Sequence, residues 1–223
     1  MPALSKTYKL RMYKMYLPPH FQEVDNAEIR GLIEAYPLAC IAAQTDQGLI
    51  ANHIPLLSAP DGTLIGHVAL NNDMHRLIKD NQEVLVIFRG DDAYVSPNYY
   101  PTKPEHHRHV PTWNYQVVHI YGDITFQHEE QPKRAAVGLL TRNHERKLNG
   151  DKAWRMADAP TDYMTQMISN IVAFRIKPTR TLAKSKLSQN REERDYVGAL
   201  EGLRSNGHET IAAKMQNKIN QSV

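Results

Sequence analysis

The sequence predicts a mainly β protein, an antiparallel barrel with helices at its periphery, and three observations carry that prediction. Short apolar or alternating runs follow one another with tight turns between them, which favours an antiparallel meander over a doubly wound sheet. Helical periodicity is confined to a few bounded stretches. The composition, with 41% hydrophobic and 23% charged residues in a chain of 223, is that of an ordinary globular protein large enough for one substantial core.

Asp25, followed three residues later by Glu28, matches a capping box. Ile29, Leu32, Ile33 and Tyr36 then keep helical spacing until Pro37 ends it. Ala39 to Thr45 and Leu49 to Leu57 flank the turn Asp46-Gln47-Gly48 and read as a hairpin. Pro60-Asp61-Gly62 makes the next turn and Thr63 to Ala69 the next strand. A short helix over Asp73 to Lys79 precedes the strand Val84 to Phe88, and Ala93 to Ser96 forms another after Gly90-Asp91-Asp92.

The stretch Val110-Pro111-Thr112-Trp113-Asn114-Tyr115 then runs into the alternating segment Val117 to Phe126. Val118, Ile120, Gly122, Ile124 and Phe126 share one face, the core, whereas His119, Tyr121, Asp123 and Thr125 share the other. Trp113 reads two ways, as a core aromatic or as a platform for a flat heterocycle beside the donors of Asn114 and Tyr115. Gln131-Pro132 opens a helix through His144, with Pro132 in its first turn. A second helix, Tyr163 to Ser169, leads to the strand Ile171 to Ile176, which Pro178 should end. Residues 1–178 are accordingly expected to form one barrel domain, and residues 179–223 a basic loop and helical arm that packs on the barrel or on a partner subunit.

From Lys177 to Arg191 the chain carries Lys177, Arg180, Lys184, Lys186 and Arg191 and no acidic residue, so this tail is a candidate anion holder. Asn190 with Glu193 marks the start of a helix that turns Val197, Leu200 and Leu203 inward. Asn206-Gly207 breaks it, and Ile211, Met215 and Ile219 define a last helix. That pair invites a helix-turn-helix reading with Lys214 and Lys218 on DNA phosphates, but Glu192, Glu193, Asp195, Glu201 and Glu209 dilute the charge. A net charge of +3 does not by itself imply nucleic acid.

The lone Cys40 lies in the apolar run Leu38 to Ala43 without an intrachain partner, and the sequence shows neither a signal peptide nor a long apolar segment. A soluble, reducing, cytoplasmic setting is the expectation, with no membrane partner and Cys40 an inert buried thiol. His106, His107 and His109 read as a histidine-rich flexible loop, since no cysteine or carboxylate pair stands at ligand spacing; no metal site is expected. His53 and His67 differ, because they interrupt apolar strands.

Taken together, Met15-Tyr16-Leu17-Pro18, Asn52-His53-Ile54-Pro55-Leu56, Gly66-His67-Val68-Ala69, Ala93-Tyr94-Val95-Ser96-Pro97, Val110 to Tyr115 and Lys186-Leu187-Ser188-Gln189-Asn190-Arg191 resemble the PaiB family of FMN-binding negative transcriptional regulators. The resemblance runs in order from about residue 12 to the final helices. It implies the split β-barrel shared with pyridoxamine 5′-phosphate oxidase, a homodimer, and FMN between the subunits. On it we place the cofactor slot at Asn52, His53, His67, Ala69 and Asn72, closed by Trp113 and Asn114, with Lys186, Gln189 and Asn190 as donors from the tail. Family members often carry an arginine after the Gly-His-x-Ala block, where this chain has Leu70-Asn71-Asn72, and the nearest downstream cation is Arg76. Two functions follow: a repressor that senses a small molecule or redox state, or a flavin-dependent oxidoreductase. Heme is the alternative cofactor.

Overall fold

The structure is a computed structural model that describes residues 15–220; residues 1–14 of the expected barrel domain and 221–223 of the expected arm lie outside it. In chain order the elements are β1 (Gln22–Glu23), α1 (Asn26–Ala35), β2 (Leu38–Thr45), β3 (Gly48–Pro55), β4 (Leu57–Ser58), β5 (Leu64–Ala69), α2 (Met74–Leu77), β6 (Gln82–Val95), α3 (Lys103–His106), β7 (Thr112–Gln127), α4 (Glu130–Asn149), α5 (Thr161–Ser169), β8 (Ile171–Lys186), α6 (Glu193–Ser205) and α7 (Glu209–Asn220).

All strand pairs are antiparallel, in the order β3-β2-β6-β7-β8-β5-β4, with β1 added on β8. Local chemistry sets the turns as the sequence predicts. Gly48 and Gly62 adopt φ of +106° and +84°, a region open to glycine, and the Asp25 carboxylate caps α1 by accepting from the Ala27 backbone N at 2.8 Å. The sheet curls around one core in which Phe88, Phe174, Ile41, Leu64, Ile124 and Ile176 are essentially inaccessible. Each such side chain contributes about 1.5–3 kcal/mol of burial. α1 closes one side through Leu32 and Ile33.

Three strand assignments change. The expected strands Val84–Phe88 and Ala93–Ser96 are one strand, β6, kinked by a register shift between Arg89 and Asp92. The expected strand Leu49–Leu57 divides at Leu56 into β3 and β4, and the Leu56 backbone N instead donates to Pro37 O at 2.9 Å. Most consequentially, Pro178 does not end β8, which continues to Lys186. Pro178 faces Gly122 where the β7–β8 register shifts, so the missing N–H falls at an irregularity. A Cβ on Gly122 would meet Lys177 O at 2.5 Å, so this proline crossing requires a residue without a side chain.

A second core lies beyond the bulge. Ala93, Val95, Tyr100 and Leu187 meet Tyr196, Ala199, Leu200, Leu203, Ile211, Ala212 and Met215 of the two C-terminal helices. A Cβ on Gly202 would overlap the Tyr99 ring, so only glycine lets α6 lie this close to the turn Pro97–Tyr99. α6 begins at Glu193 with Glu192, not Asn190, as its cap. The arm thus packs on the far halves of the same strands that build the barrel.

Candidate functional site

On β7, Asn114, Gln116, Val118 and Ile120 point to the interior, which puts Trp113, Tyr115, Val117, His119 and Tyr121 on the opposite face. Antiparallel register sets Lys186 beside Tyr115, Lys184 beside Val117, Leu182 beside His119 and Arg180 beside Tyr121. The outcome is a strip of cations alternating with aromatic rings along two neighbouring strands. Arg180 lies 3.8 Å from the Tyr121 ring centroid, and Lys184 Nζ lies 5.2 Å from that of Tyr115.

Lys184 is buried, and its Nζ donates to Tyr16 O at 3.1 Å. Lys186 Nζ donates to Trp113 O at 2.6 Å and to the Thr112 hydroxyl. Among the described residues neither lysine has a carboxylate within ion-pair distance. Burial, followed by the nearby Lys184 and Arg191 charges, lowers the Lys186 pKa below its ordinary value. Clustered cations without an acid are costly to hold unless an anion joins them. His119 adds a buried Nδ1 with no hydrogen-bond partner among the described residues.

The expected site residues separate into distinct sets. Trp113 is 52% exposed and its ring meets the edge of Tyr94, ring centroids 5.8 Å apart, so it is not enclosed in the core of this chain. Lys186 shares its face. Asn114 does not close a slot: it is 0% exposed, its Oδ1 accepts from Ser188 Oγ at 3.1 Å and its Nδ2 points at Met215 Sδ. The Gln189 amide is taken up by its own turn, accepting from Leu187 N and donating to Ser185 O, whereas Asn190 is exposed.

Asn52 and Asn72 are joined, Asn72 Nδ2 donating to Asn52 Oδ1 at 3.1 Å and so tying the segment after β5 to β3. His53 is exposed on β3 and lines a hollow of about 620 Å³ with Cys40, Arg89 and His208. Cys40 is half-buried, not enclosed. His67 and Ala69 lie on β5 opposite Ala173 and Ile171, beside the Gln127 end of β7, the end far from Trp113. One chain therefore does not gather these residues around Trp113 and Lys186. The sequence marks Tyr115 as a donor beside Trp113 and Lys184 as a cation of the tail, but not His119; once β8 is extended past Pro178, the two-residue spacing of Lys184 and Lys186 puts both on the Tyr115 face.

His109 is not part of a loose loop either. Its side chain is enclosed, with Nε2 2.8 Å from Thr102 Oγ1, and Thr102 donates its hydroxyl to Asp195 Oδ2 at 2.8 Å and its backbone N to Oδ1 at 3.2 Å. This polar cluster fastens α6 to the segment before β7. Among the described residues no three of His, Cys, Asp and Glu converge as metal ligands, and no helix is long and apolar enough to cross a membrane.

The antiparallel sheet curled around one core, with helices at its periphery, defines a split β-barrel protein. Residues 15–180 match the family model described as "Putative FMN-binding domain", and the chain belongs to that family. It is 29% identical over 216 residues to the protease synthase and sporulation protein PAI 2 of Bacillus subtilis, a match that covers 94% of this chain and 100% of that protein. Among solved structures, the FAD and heme binding protein from Mycobacterium smegmatis superimposes with a TM-score of 0.56 at 15% identity, covering 80% of this chain and 79% of that one. The flavocytochrome Anf3 from Azotobacter vinelandii gives a TM-score of 0.56 at 12% identity, over 79% of this chain and 75% of that one.

Proposed function

We propose that this chain binds FMN on the face shared by β7 and β8, and that it does so as a homodimer. The observation that carries the reading is the cluster of Lys184, Lys186 and Arg191 beside exposed Trp113, a cluster that among the described residues has no carboxylate within ion-pair distance. Lys184 and Lys186 would hold the phosphate, with the exposed amide of Asn190 as a further donor, and Trp113 and Tyr115 would offer flat faces to the isoalloxazine. When bound, the flavin supplies reversible electron and hydride transfer. With two copies face to face, Asn52, His53, His67, Ala69 and Asn72 of one copy would meet the Trp113 and Lys186 strip of the other.

A specific contact bears on the choice between repressor and oxidoreductase. Lys214 Nζ donates to Glu28 Oε2 at 2.9 Å and Lys218 Nζ to Glu23 Oε2 at 2.8 Å, so both lysines that a DNA-reading arm would use are paired to the barrel. This favours a flavin-dependent oxidoreductase. A repressor of the kind the PaiB resemblance implies would have to report the flavin state through another surface.

Titration of the purified protein with FMN, followed by visible absorption, tests the proposal. Saturable flavin uptake that K184A/K186A weakens at least tenfold supports the site; unchanged affinity in that variant removes it. A Soret band after heme addition, with no flavin uptake, redirects the face to heme. Salt-dependent retention of promoter DNA would restore the repressor reading.

A further inference from the structure

Away from the barrel face, α4 and the loop that follows it border an open hollow of about 590 Å³, within the range of small-molecule sites. Gly138, Arg142 and Arg146 stand at successive four-residue intervals on α4 and so share one face of the helix. Across from them the indole of Trp154 is 42% exposed. Lys152 and Arg155 add positive charge, against Asp151 and Asp158, and Asp158 is already paired with Arg155 at 3.3 Å.

Among the described residues, neither Arg142 nor Arg146 has a carboxylate within ion-pair distance. Like charges four residues apart on a helix repel, so the pair is kept at a cost. The wall opposite is held in place rather than loose. The Glu145 carboxylate accepts from the Trp154 backbone N at 2.9 Å and from Asn149 Nδ2 at 2.8 Å, and these bonds keep the Glu145 pKa below its ordinary value. Arg155 N in turn donates to Asp158 Oδ2 at 2.8 Å, closing the next turn of the loop.

We propose that this hollow is a second binding site, separate from the β7–β8 face, for a planar ring that carries two or more phosphates, of which a nucleoside diphosphate is the simplest. Trp154 supplies the stacking face for the ring, and Arg142 and Arg146, joined by Lys152, supply the phosphate contacts. The site stands independently of flavin binding on the barrel.

The chain contains two tryptophans, so Trp113→Phe leaves Trp154 as the sole indole reporter. In that background, ADP is titrated while tryptophan emission is followed, with calorimetry as a second readout. The expected result is saturable binding with a dissociation constant below about 1 mM. R142A/R146A, whose exposed side chains can be removed without touching the core, should weaken ADP at least tenfold with an unchanged melting profile, and adenosine should bind at least tenfold more weakly than ADP. ADP binding should persist in protein saturated with FMN. No saturable signal by either readout, equal affinity in R142A/R146A, equal affinity for adenosine, or displacement of ADP by FMN would each overturn the proposal.

Discussion

Asn114 Nδ2 lies 3.5 Å from Met215 Sδ, a direct contact between a barrel strand and the last helix. With Oδ1 accepting from Ser188 Oγ, the amide joins β7, the turn after β8 and α7 at one buried point. Asn114→Ala leaves the Ser188 hydroxyl without its partner, and should destabilise the protein by about 1–3 kcal/mol. Chemical denaturation of the variant checks this. Flavin affinity at matched folded fractions should stay within about twofold, because Asn114 reaches no open surface.

Trp113 should behave in the opposite way. Its ring is about half exposed and meets Tyr94 at the edge, so Trp113→Ala should change stability by less than about 1 kcal/mol. The same variant should lose at least about tenfold in FMN affinity, as expected when a stacking surface is removed. A large loss of stability with unchanged affinity would return Trp113 to a packing role.

Flavin affinity should fall at alkaline pH earlier than an ordinary lysine would allow. Burial and the Lys184 and Arg191 charges lower the Lys186 pKa, so its ammonium loses its proton below the usual value of 10.5. FMN would stabilise the charged form and be bound with proton uptake in that window. Affinity measured from about pH 7 to about pH 10 should decline in the native protein and much less steeply in Lys186→Arg, whose guanidinium stays charged throughout.

His67 and His119 have pKa values depressed by burial below the ordinary 6.5. Between the folded value and 6.5 the unfolded chain binds more protons, so stability is complete above pH 6.5 and is lost as the pH falls through that window. H67Q/H119Q should therefore lose less stability than the native chain when urea midpoints at about pH 7.5 and pH 5.5 are compared. An identical loss in both proteins would assign the acid sensitivity to carboxylates.

Features fixed by neighbouring residues were legible in the sequence: the Asp25 cap, the glycines at positions 48, 62 and 207, and the two-faced strand through Val118 and Ile124. Its alternation also runs back to Asn114, so that residue's inward direction was readable in principle. Pro178 misled because its cost is removed by a register shift and a glycine on another strand, at Gly122, which local rules do not see. Ending β8 there left Lys184, the most buried cation of the candidate site, in a supposed loop, flagged for its charge but with no strand face assigned. The Thr102–Asp195 bond joins residues far apart in the chain and left no local trace.

Because β8 passes without interruption from Ile171, under the barrel, to Lys186, at the edge of the second core, the C-terminal arm has no seam at which it could be detached. Cutting the chain at Pro178 would strip one of its two neighbouring strands from the segment of β7 that runs from Tyr115 to Tyr121 and leave it paired with β6 alone. The arm is thus joined to the barrel through a shared strand rather than through a linker.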